Sequence, residues 1–317
     1  MNYSIIIPFY NEEENVSLVN NELINNLKKI EKGDRKFEII YVDDGSSDKT
    51  FDKLKELNSN PYKTLLIRHR INLSQSAALN TGIHNSQYDN LIILDGDLQD
   101  NPEELEKMII EYERGCDMII GWRKNRKDNF FMKTLPSLIA NYLVRLFSKS
   151  KVNDHGCAFK IVKKDTIADL TNWGDFHRLL AARLANNGYN IKEIEVKHNK
   201  RLHGKSKYGF GRVLKVLVDL IYLNFLKNYK RQSVYFFGQF GIYSFILAFM
   251  IFFVMIILRL YYDTSFIETP LPILSVFFLI TGLLFIFMGI LAQLIIVQQN
   301  NSKKDNDNSD QKILFDK

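Results

Sequence analysis

The stretch LIILDGDLQD, residues 91–100, runs four apolar residues into Asp95, Asp97 and Asp100. Carboxylates at the end of an apolar run are costly to bury unless they meet hydrogen-bond donors or a cation. Gly96, between the first two, leaves the backbone room for a close ligand. Residues i and i+2 share a face in a strand, so Asp95 and Asp97 can converge on one ion, with Gln99 continuing the spacing as a neutral oxygen. Oxygen donors with no neighbouring Cys, in a chain of only 6 His, suit Mg2+ or Mn2+ better than zinc. Such ions complete their shells with substrate phosphates. The same residues also make ordinary turns, and this stretch alone does not separate the two readings.

A second acidic strand end shifts the balance. YVDDGSSDKT places Asp43 and Asp44 after an apolar run, followed by Gly45 and a helix-capping Ser or Asp. A carboxylate there can accept hydrogen bonds from a base N–H or a ribose hydroxyl. Two strands ending in acids read as a site for a nucleoside diphosphate and its metal.

The elements that must position these groups follow from periodicity. Short β-branched runs at 3–9, 37–44, 63–69, 90–97 and 117–122 predict strands. Between them, Val16, Val19, Leu23 and Leu27 fall on one helical face, as do Phe51, Leu54 and Leu57. Strand and helix in alternation predict an α/β fold with a mostly parallel sheet flanked by helices, with ligands at the carboxyl ends of the strands.

Two later segments differ in kind. Gln232–Leu258 and Thr269–Ser302 carry no charged residue, and each exceeds the roughly 20 residues needed to cross a bilayer. They predict a transmembrane hairpin over 232–302, with spans at about 236–258 and 273–297. Lys227, Lys230 and Arg231 precede the first span and Lys303 and Lys304 follow the second, which predicts that both ends face the cytoplasm. GRVLKVLVDLIYLNFLKNYKR, 211–231, reads as an amphipathic segment lying in the membrane interface, and 303–317 as a disordered cytoplasmic tail. Met1 leads directly into a strand-like run, so no cleaved signal peptide is expected.

Composition narrows the partners. The 317 residues carry 42 Lys+Arg against 36 Asp+Glu, a net +6 that favours an acidic partner. No aromatic-interleaved basic stripe or zinc-finger spacing is present, so nucleic acid is not expected. Cys116 and Cys157 stand far apart with no CxxC, which suits a reducing cytosol. HGKSKYGFG lacks the first glycine of a phosphate-binding loop, and no GxGxxG, GxSxG or HExxH occurs.

The ordered series SIIIPFYNEEENV, EIIYVDDGSSDKT, NLSQSAALNTGI, LDGDLQDNPEEL, GWRKNR, DHGCAFK and KRLHGKSKYG spans residues 4–209. It resembles the family 2 glycosyltransferases of GT-A fold, in the branch that includes dolichol-phosphate mannose synthase and bactoprenol glucosyltransferases. The resemblance implies a GT-A catalytic domain over 1–210. It implies a nucleotide-sugar pocket of Pro8, Tyr10, Asn11, Glu12, Asp43, Asp44 and Gln75, closed by Arg201, Ser206 and Lys207. Asp95, Asp97 and Gln99 would hold the metal and the donor diphosphate, and Arg123, Arg126 and Lys133 the acceptor phosphate. Asp154 would be an acceptor-side carboxylate or the cap of a turn. His177 and Arg178 would reach the acceptor or lie on a helix surface. Two positions depart from the family pattern: Ser74 stands where a glycine is usual, and Lys133 where many relatives have a second Arg.

The chemistry implied is inverting transfer of one sugar from a UDP- or GDP-sugar to polyprenyl phosphate at the cytoplasmic face of a membrane, a bacterial inner membrane by this resemblance. An ionised phosphate needs no base, so Arg123 would orient it. Two alternatives stay open. One is transfer to a hydroxyl of a glycolipid or other acceptor, which would require a base such as Asp154 or Asp175; the other is a catalytically silent membrane adaptor. A processive polysaccharide synthase would need a Gln-x-x-Arg-Trp motif that this chain lacks. A homo-oligomer is compatible with these features and not specified by them.

Overall fold

The structure, a computed structural model, describes residues 1–31, 35–57, 60–124, 135–167, 176–197, 199, 218 and 233–311. The chain divides into two units, Met1–Leu220 and Ile221–Lys317. In the first, the apolar runs form β1 (Asn2–Phe9), β2 (Lys36–Asp43), β3 (Lys63–Arg68), β4 (Asn90–Ile93) and β5 (Met118–Trp122). β6 (Lys160–Lys163) and β7 (Ile191–Glu195) complete a seven-stranded sheet of order β3-β2-β1-β4-β6-β5-β7. β1 pairs in parallel with β2 and β4, β2 with β3, and β5 with β7. β6 runs antiparallel to both β4 and β5, so the mostly parallel sheet is mixed at this one strand.

Ile5, Ile6 and Ile7 in β1 are all fully buried, because helices cover both faces of the sheet. The flanking helices are α1 (Val16–Ile30), α2 (Thr50–Lys55), α3 (Gln75–His84), α4 (Leu105–Glu113), α5 (Leu135–Phe147), the single turn α6 (Lys164–Ile167) and α7 (Phe176–Asn186). α1 buries the expected face, Val16, Val19, Leu23 and Leu27, and adds Ile24 and Ile30. Phe51 does not join the core of α2 as Leu54 does: it lies beneath Arg68 and Lys55, 4.3 and 4.4 Å from its ring. α3 lies close against the sheet at Gly82, where any Cβ would run into the Ile6 side chain of β1.

In the second unit, α8 (Ser233–Tyr262) and the apolar part of α9, Leu271–Ile296, are each long and apolar enough to cross a membrane. They pack through small residues. A Cβ on Gly241 would come 2.9 Å from the Gly282 carbonyl, and one on Gly282 3.0 Å from the Gly241 carbonyl. Ser275 Oγ donates to the Ala248 carbonyl (3.1 Å) and the Ser233 N–H to Gln293 Oε1 (3.0 Å). Such close backbone approach is how apolar helices associate where the solvent is itself apolar. α9 continues past its apolar part to Gln311. Extending a formed helix carries no nucleation cost, which lets polar residues follow the apolar span. The segment 211–231 lies outside the described residues except for Val218.

Gly82→Ala is expected to destabilise the full-length chain by about 1–3 kcal/mol, because the added methyl must displace Ile6 from a filled core. Gly238→Ala in α8, where a Cβ would meet nothing within 4 Å, is the matched control and should leave the thermal midpoint unchanged or slightly raised.

Candidate active site

Parallel strands present their carboxyl ends on one edge of a sheet, and an antiparallel strand presents its beginning there. The segments after β1, β2, β4 and β5 and the one before β6 therefore meet at a common edge. The loops after β1 and β2 are stapled together. Asn11, with a left-handed φ of 51°, accepts the Ser47 N–H on Oδ1 (2.8 Å) and donates its own N–H to Ser46 Oγ (2.9 Å). The Glu12 N–H donates to Thr50 Oγ1 (2.9 Å). Pro8, Tyr10, Asn11 and Glu12 are all half-buried on this rim.

The two acids after β2 are committed to the protein. Asp43 is fully buried, accepts the Ser46 N–H (3.2 Å) and pairs with Arg68 Nε (3.2 Å). Asp44 accepts from His69 Nδ1 (2.8 Å), Asn72 Nδ2 (2.8 Å) and the main-chain N–H groups of Leu73 and Ser74 (3.0 Å each). Four donors fill the roughly four acceptor sites of a carboxylate. Asp44 thus shapes the loop over residues 69–74, with both of its oxygens engaged by that loop. The same pull holds Ser74 at φ 106°, ψ 156°, a region that is essentially glycine's alone. A glycine would adopt this conformation without strain. Ser74 caps α3, whose first residue, Gln75, sends Nε2 to Asp95 Oδ1 (2.7 Å).

β4 ends at Ile93, four residues earlier than the sequence predicted, and the Leu94 N–H makes one further bond to the Ile6 carbonyl (3.2 Å). Asp95, Gly96 and Asp97 lie in the turn beyond, so the shared-face geometry of a strand does not apply to them. The turn has its own cause. A Cβ on Gly96 would stand 2.7 Å from the Phe9 ring and 3.0 Å from the Pro8 carbonyl, and Asp97 Oδ1 accepts the Gln99 N–H (3.1 Å). Asp97 and Asp100 are buried, and Asp100 Oδ2 has no hydrogen-bond partner among the described residues. Burial, reinforced by Asp97 and Asp100, pushes the Asp95 carboxyl well above the usual carboxylate range. Burial pushes Asp100 to about 6 against the pull of Arg123.

This surplus of carboxylate charge and the orphaned oxygen fit a divalent cation. Among the described residues no group of three or more His, Cys, Asp or Glu is arranged to hold one. An ion here would rest on two carboxylates and non-protein oxygens, the pattern of Mg2+ and Mn2+.

Arg123, just past β5, meets Asp154, just before β6, in a bidentate pair: Nε to Oδ2 at 2.7 Å and Nη2 to Oδ1 at 3.1 Å. Burial works against the guanidinium charge, but the neighbouring carboxylates, Asp154 first, more than offset it and raise its pKa. Glu193 on β7 fixes the loop by accepting the N–H groups of Asn153 and Asp154 (2.8 Å each). Lys160, the first residue of β6, is buried and donates to the His177 carbonyl (2.5 Å). His177 is no free surface residue, since its Nδ1 lies 2.7 Å from Ser76 Oγ. Arg178 is half-buried. Arg126, Lys133, Asp175, Arg201, Ser206 and Lys207 lie outside the described residues. Sequence reading missed His69, Lys160 and Glu193. None carried a clear local signal: Lys160 is one of three lysines in KIVKK.

Two substitutions test this construction. Asp44→Asn replaces an acceptor with a group that is half donor and faces four donors, and should cost at least about 2 kcal/mol of stability, read as a lower thermal midpoint. His155 is buried with no partner for either ring nitrogen among the described residues, and burial holds its pKa down at about 4. The unfolded chain takes up that proton near pH 6.5 and the folded chain only near 4, so this stability is present above pH 6.5 and lost as pH falls through that window. His155→Phe should be neutral or stabilising at pH 7.5 and should remove roughly 3 kcal/mol of acid-induced loss between pH 6.5 and 4.

Comparison with known proteins agrees with this architecture. Residues 4–171 match the family described as Glycosyl transferase family 2. The chain is 32% identical over 301 residues to a dodecaprenyl-phosphate galacturonate synthase of Rhizobium johnstonii, covering 92% of this chain and 87% of that one. It is 29% identical over 297 residues to an undecaprenyl-phosphate 4-deoxy-4-formamido-L-arabinose transferase of Proteus mirabilis, again 92% and 87%. Among solved structures, glucosyl-3-phosphoglycerate synthase of Mycobacterium tuberculosis, in complex with Mn2+, UDP-glucose and phosphoglyceric acid, superposes with a TM-score of 0.51 at 14% identity, over 71% of this chain and 79% of that one, a likeness of fold. With a mixed seven-stranded sheet of GT-A type and these matches across its length, the chain belongs to glycosyl transferase family 2 and is a glycosyltransferase.

Proposed function

We propose that the chain moves a single sugar from a UDP- or GDP-sugar to a polyprenyl phosphate, inverting the anomeric centre, with Mg2+ or Mn2+ bound at Asp95 and Asp97. The carrying observation is that one sheet edge gathers the acidic turn after β4 and the Arg123–Asp154 pair, in a chain that also has two helices of membrane-spanning length. Both sequence relatives, each matched over 92% of this chain, are named for polyprenyl phosphates.

The roles follow from the groups. The stapled rim of Pro8, Tyr10, Asn11 and Glu12 receives the nucleoside, with Asp43 and Asp44 shaping the loops beneath it. Gln75 orients Asp95 through its 2.7 Å hydrogen bond, and Gln99 adds a neutral oxygen beside the carboxylates. A bound dication would neutralise charge developing on the departing diphosphate. Arg123, held by Asp154, presents a fixed cation to the acceptor phosphate, one of whose oxygens attacks the anomeric carbon as the bond to the nucleotide breaks. The phosphate is already ionised, so Asp154 acts by holding Arg123 and not as a base. Its two oxygens are occupied by that guanidinium, which favours a phosphate over a hydroxyl acceptor. Arg126, Lys133, Arg201, Ser206 and Lys207 would add cationic and polar contacts to the two phosphates.

Membrane association is part of this reading. Besides α8 and α9, α5 exposes Leu138, Ile139, Tyr142 and Leu146 on one face, an apolar stripe suited to a lipid surface. The basic residues flanking the hairpin in sequence favour both ends on the cytoplasmic side, with 211–231 at the interface.

Full-length protein in detergent, mixed with undecaprenyl phosphate, Mn2+ and a panel of labelled UDP- and GDP-sugars, is expected to yield one lipid-linked product. EDTA should abolish it and added Mn2+ or Mg2+ restore it. Asp97→Asn should lower kcat/KM by about a hundredfold or more. Nucleotide binding with no lipid-linked product from any donor would overturn the acceptor assignment.

A further inference from the structure

Lys160 is 3% exposed, an uncommon position for a lysine. The reversed strand β6 puts it there: in register it stands opposite Ile93 of β4 and Ile120 of β5, so its side chain begins where those strands run out into Asp95 and Arg123. Among the described residues its ammonium makes one hydrogen bond, to the neutral carbonyl of His177 in the first turn of α7, and no ion pair. Arg123, the neighbouring cation, is different, because its fork is spent on Asp154. A chain of contacts leads from it to the acids: Lys160 to His177, His177 to Ser76 of α3, and Gln75, adjacent in α3, to Asp95. A buried cation without a paired anion is stable only in a field of negative charge. The acidic turn supplies one, since Asp95, Asp97 and Asp100 stand within six residues at the end of β4.

We propose that Lys160 is a positioning residue, a built-in counter-ion that keeps the carboxylates of the β4 turn assembled when no divalent cation is bound and so competes with that cation for the same field. The proposal rests on the reading of Asp95 and Asp97 as metal ligands. The electrostatics agree: burial lowers the Lys160 pKa to about 8 while Cys157, Asp95 and Asp154 resist that fall, and Lys160 in turn opposes the rise of Asp95. Donation to His177 ties the same ammonium to α7, so charge and strut are separable by substitution.

Mn2+ alone, titrated calorimetrically into full-length protein in detergent, is the probe, with thermal midpoints recorded in EDTA and in Mn2+. Lys160→Gln keeps a donor for His177 but removes the charge. It should bind Mn2+ about tenfold more tightly than wild type, because one positive neighbour of the cation is gone. It should also lose midpoint in EDTA and recover it in Mn2+. Lys160→Met removes both features and should match the tighter affinity with a lower midpoint, while Lys160→Arg should restore wild-type affinity. A merely structural lysine gives the opposite pattern: unchanged or weaker Mn2+ binding and an equal midpoint loss with and without metal, which overturns the proposal. If Lys160→Gln is unfolded in EDTA, refolding by Mn2+ supports the counter-ion role, and failure to refold while wild type binds Mn2+ overturns it. Absence of Mn2+ binding by wild type removes the metal reading itself and the proposal with it, a result distinct from any difference between variants.

Discussion

Carboxylates brought together at the edge of a buried sheet repel one another with little water to screen them, and most of the local architecture answers that constraint. Opposite charge within a few ångströms is worth several times more in such surroundings than in solvent. The protein meets the demand with three kinds of group. Main-chain and amide N–H donors serve Asp44, Asp97 and Asp95, a bidentate guanidinium serves Asp154, and a buried lysine stands in register with the last residue of β4. Among the described residues Asp100 keeps one oxygen without a partner, and burial together with Asp97 and Asp100 raises the Asp95 carboxyl, so compensation by those residues is incomplete. A site left short of positive charge in this way is poised for an external cation and for the cationic ends of other segments.

The same constraint explains why two acids that look alike in sequence part company. Asp43-Asp44 and Asp95-Gly96-Asp97 both follow apolar strands. The loop after β2 curls back so that main-chain N–H groups, His69 and Asn72 converge on Asp44, at the expense of a strained Ser74. The turn after β4 is instead pressed against Phe9 and the Pro8 carbonyl, with Asp95 accepting from Gln75 and Asp97 from the Gln99 N–H.

Much of this was legible in the residues. β-branched runs and helical spacing gave the four parallel strands β3-β2-β1-β4 and the helices between them, and uncharged length gave the hairpin, because those signals are local. β6 and β7 escaped notice for physical reasons. Each is short, and their runs KIVK and IKEIE owe their strand form to neighbours far off in sequence. The end of β4 was overextended because apolar Leu94 masks the turn that the Phe9 contact imposes. Arg123, Asp154 and Gln75 could be singled out, but not that two of them grip each other and the third holds Asp95. Pairings of that kind depend on strand order, which no single stretch encodes.

The reversed strand also governs how such a chain must be assembled. Four of the seven strands, β1 through β4, are contiguous in the first hundred residues and can zip up early, while β4's other flank waits for a partner about seventy residues further on. Long-range pairing of this sort is slow, and an unpaired apolar strand edge is a sticky surface in the interval. During synthesis the nascent protein therefore carries an open seam through the middle of its future sheet, closed only when residues 160–163 emerge and slide in against the direction of their neighbours.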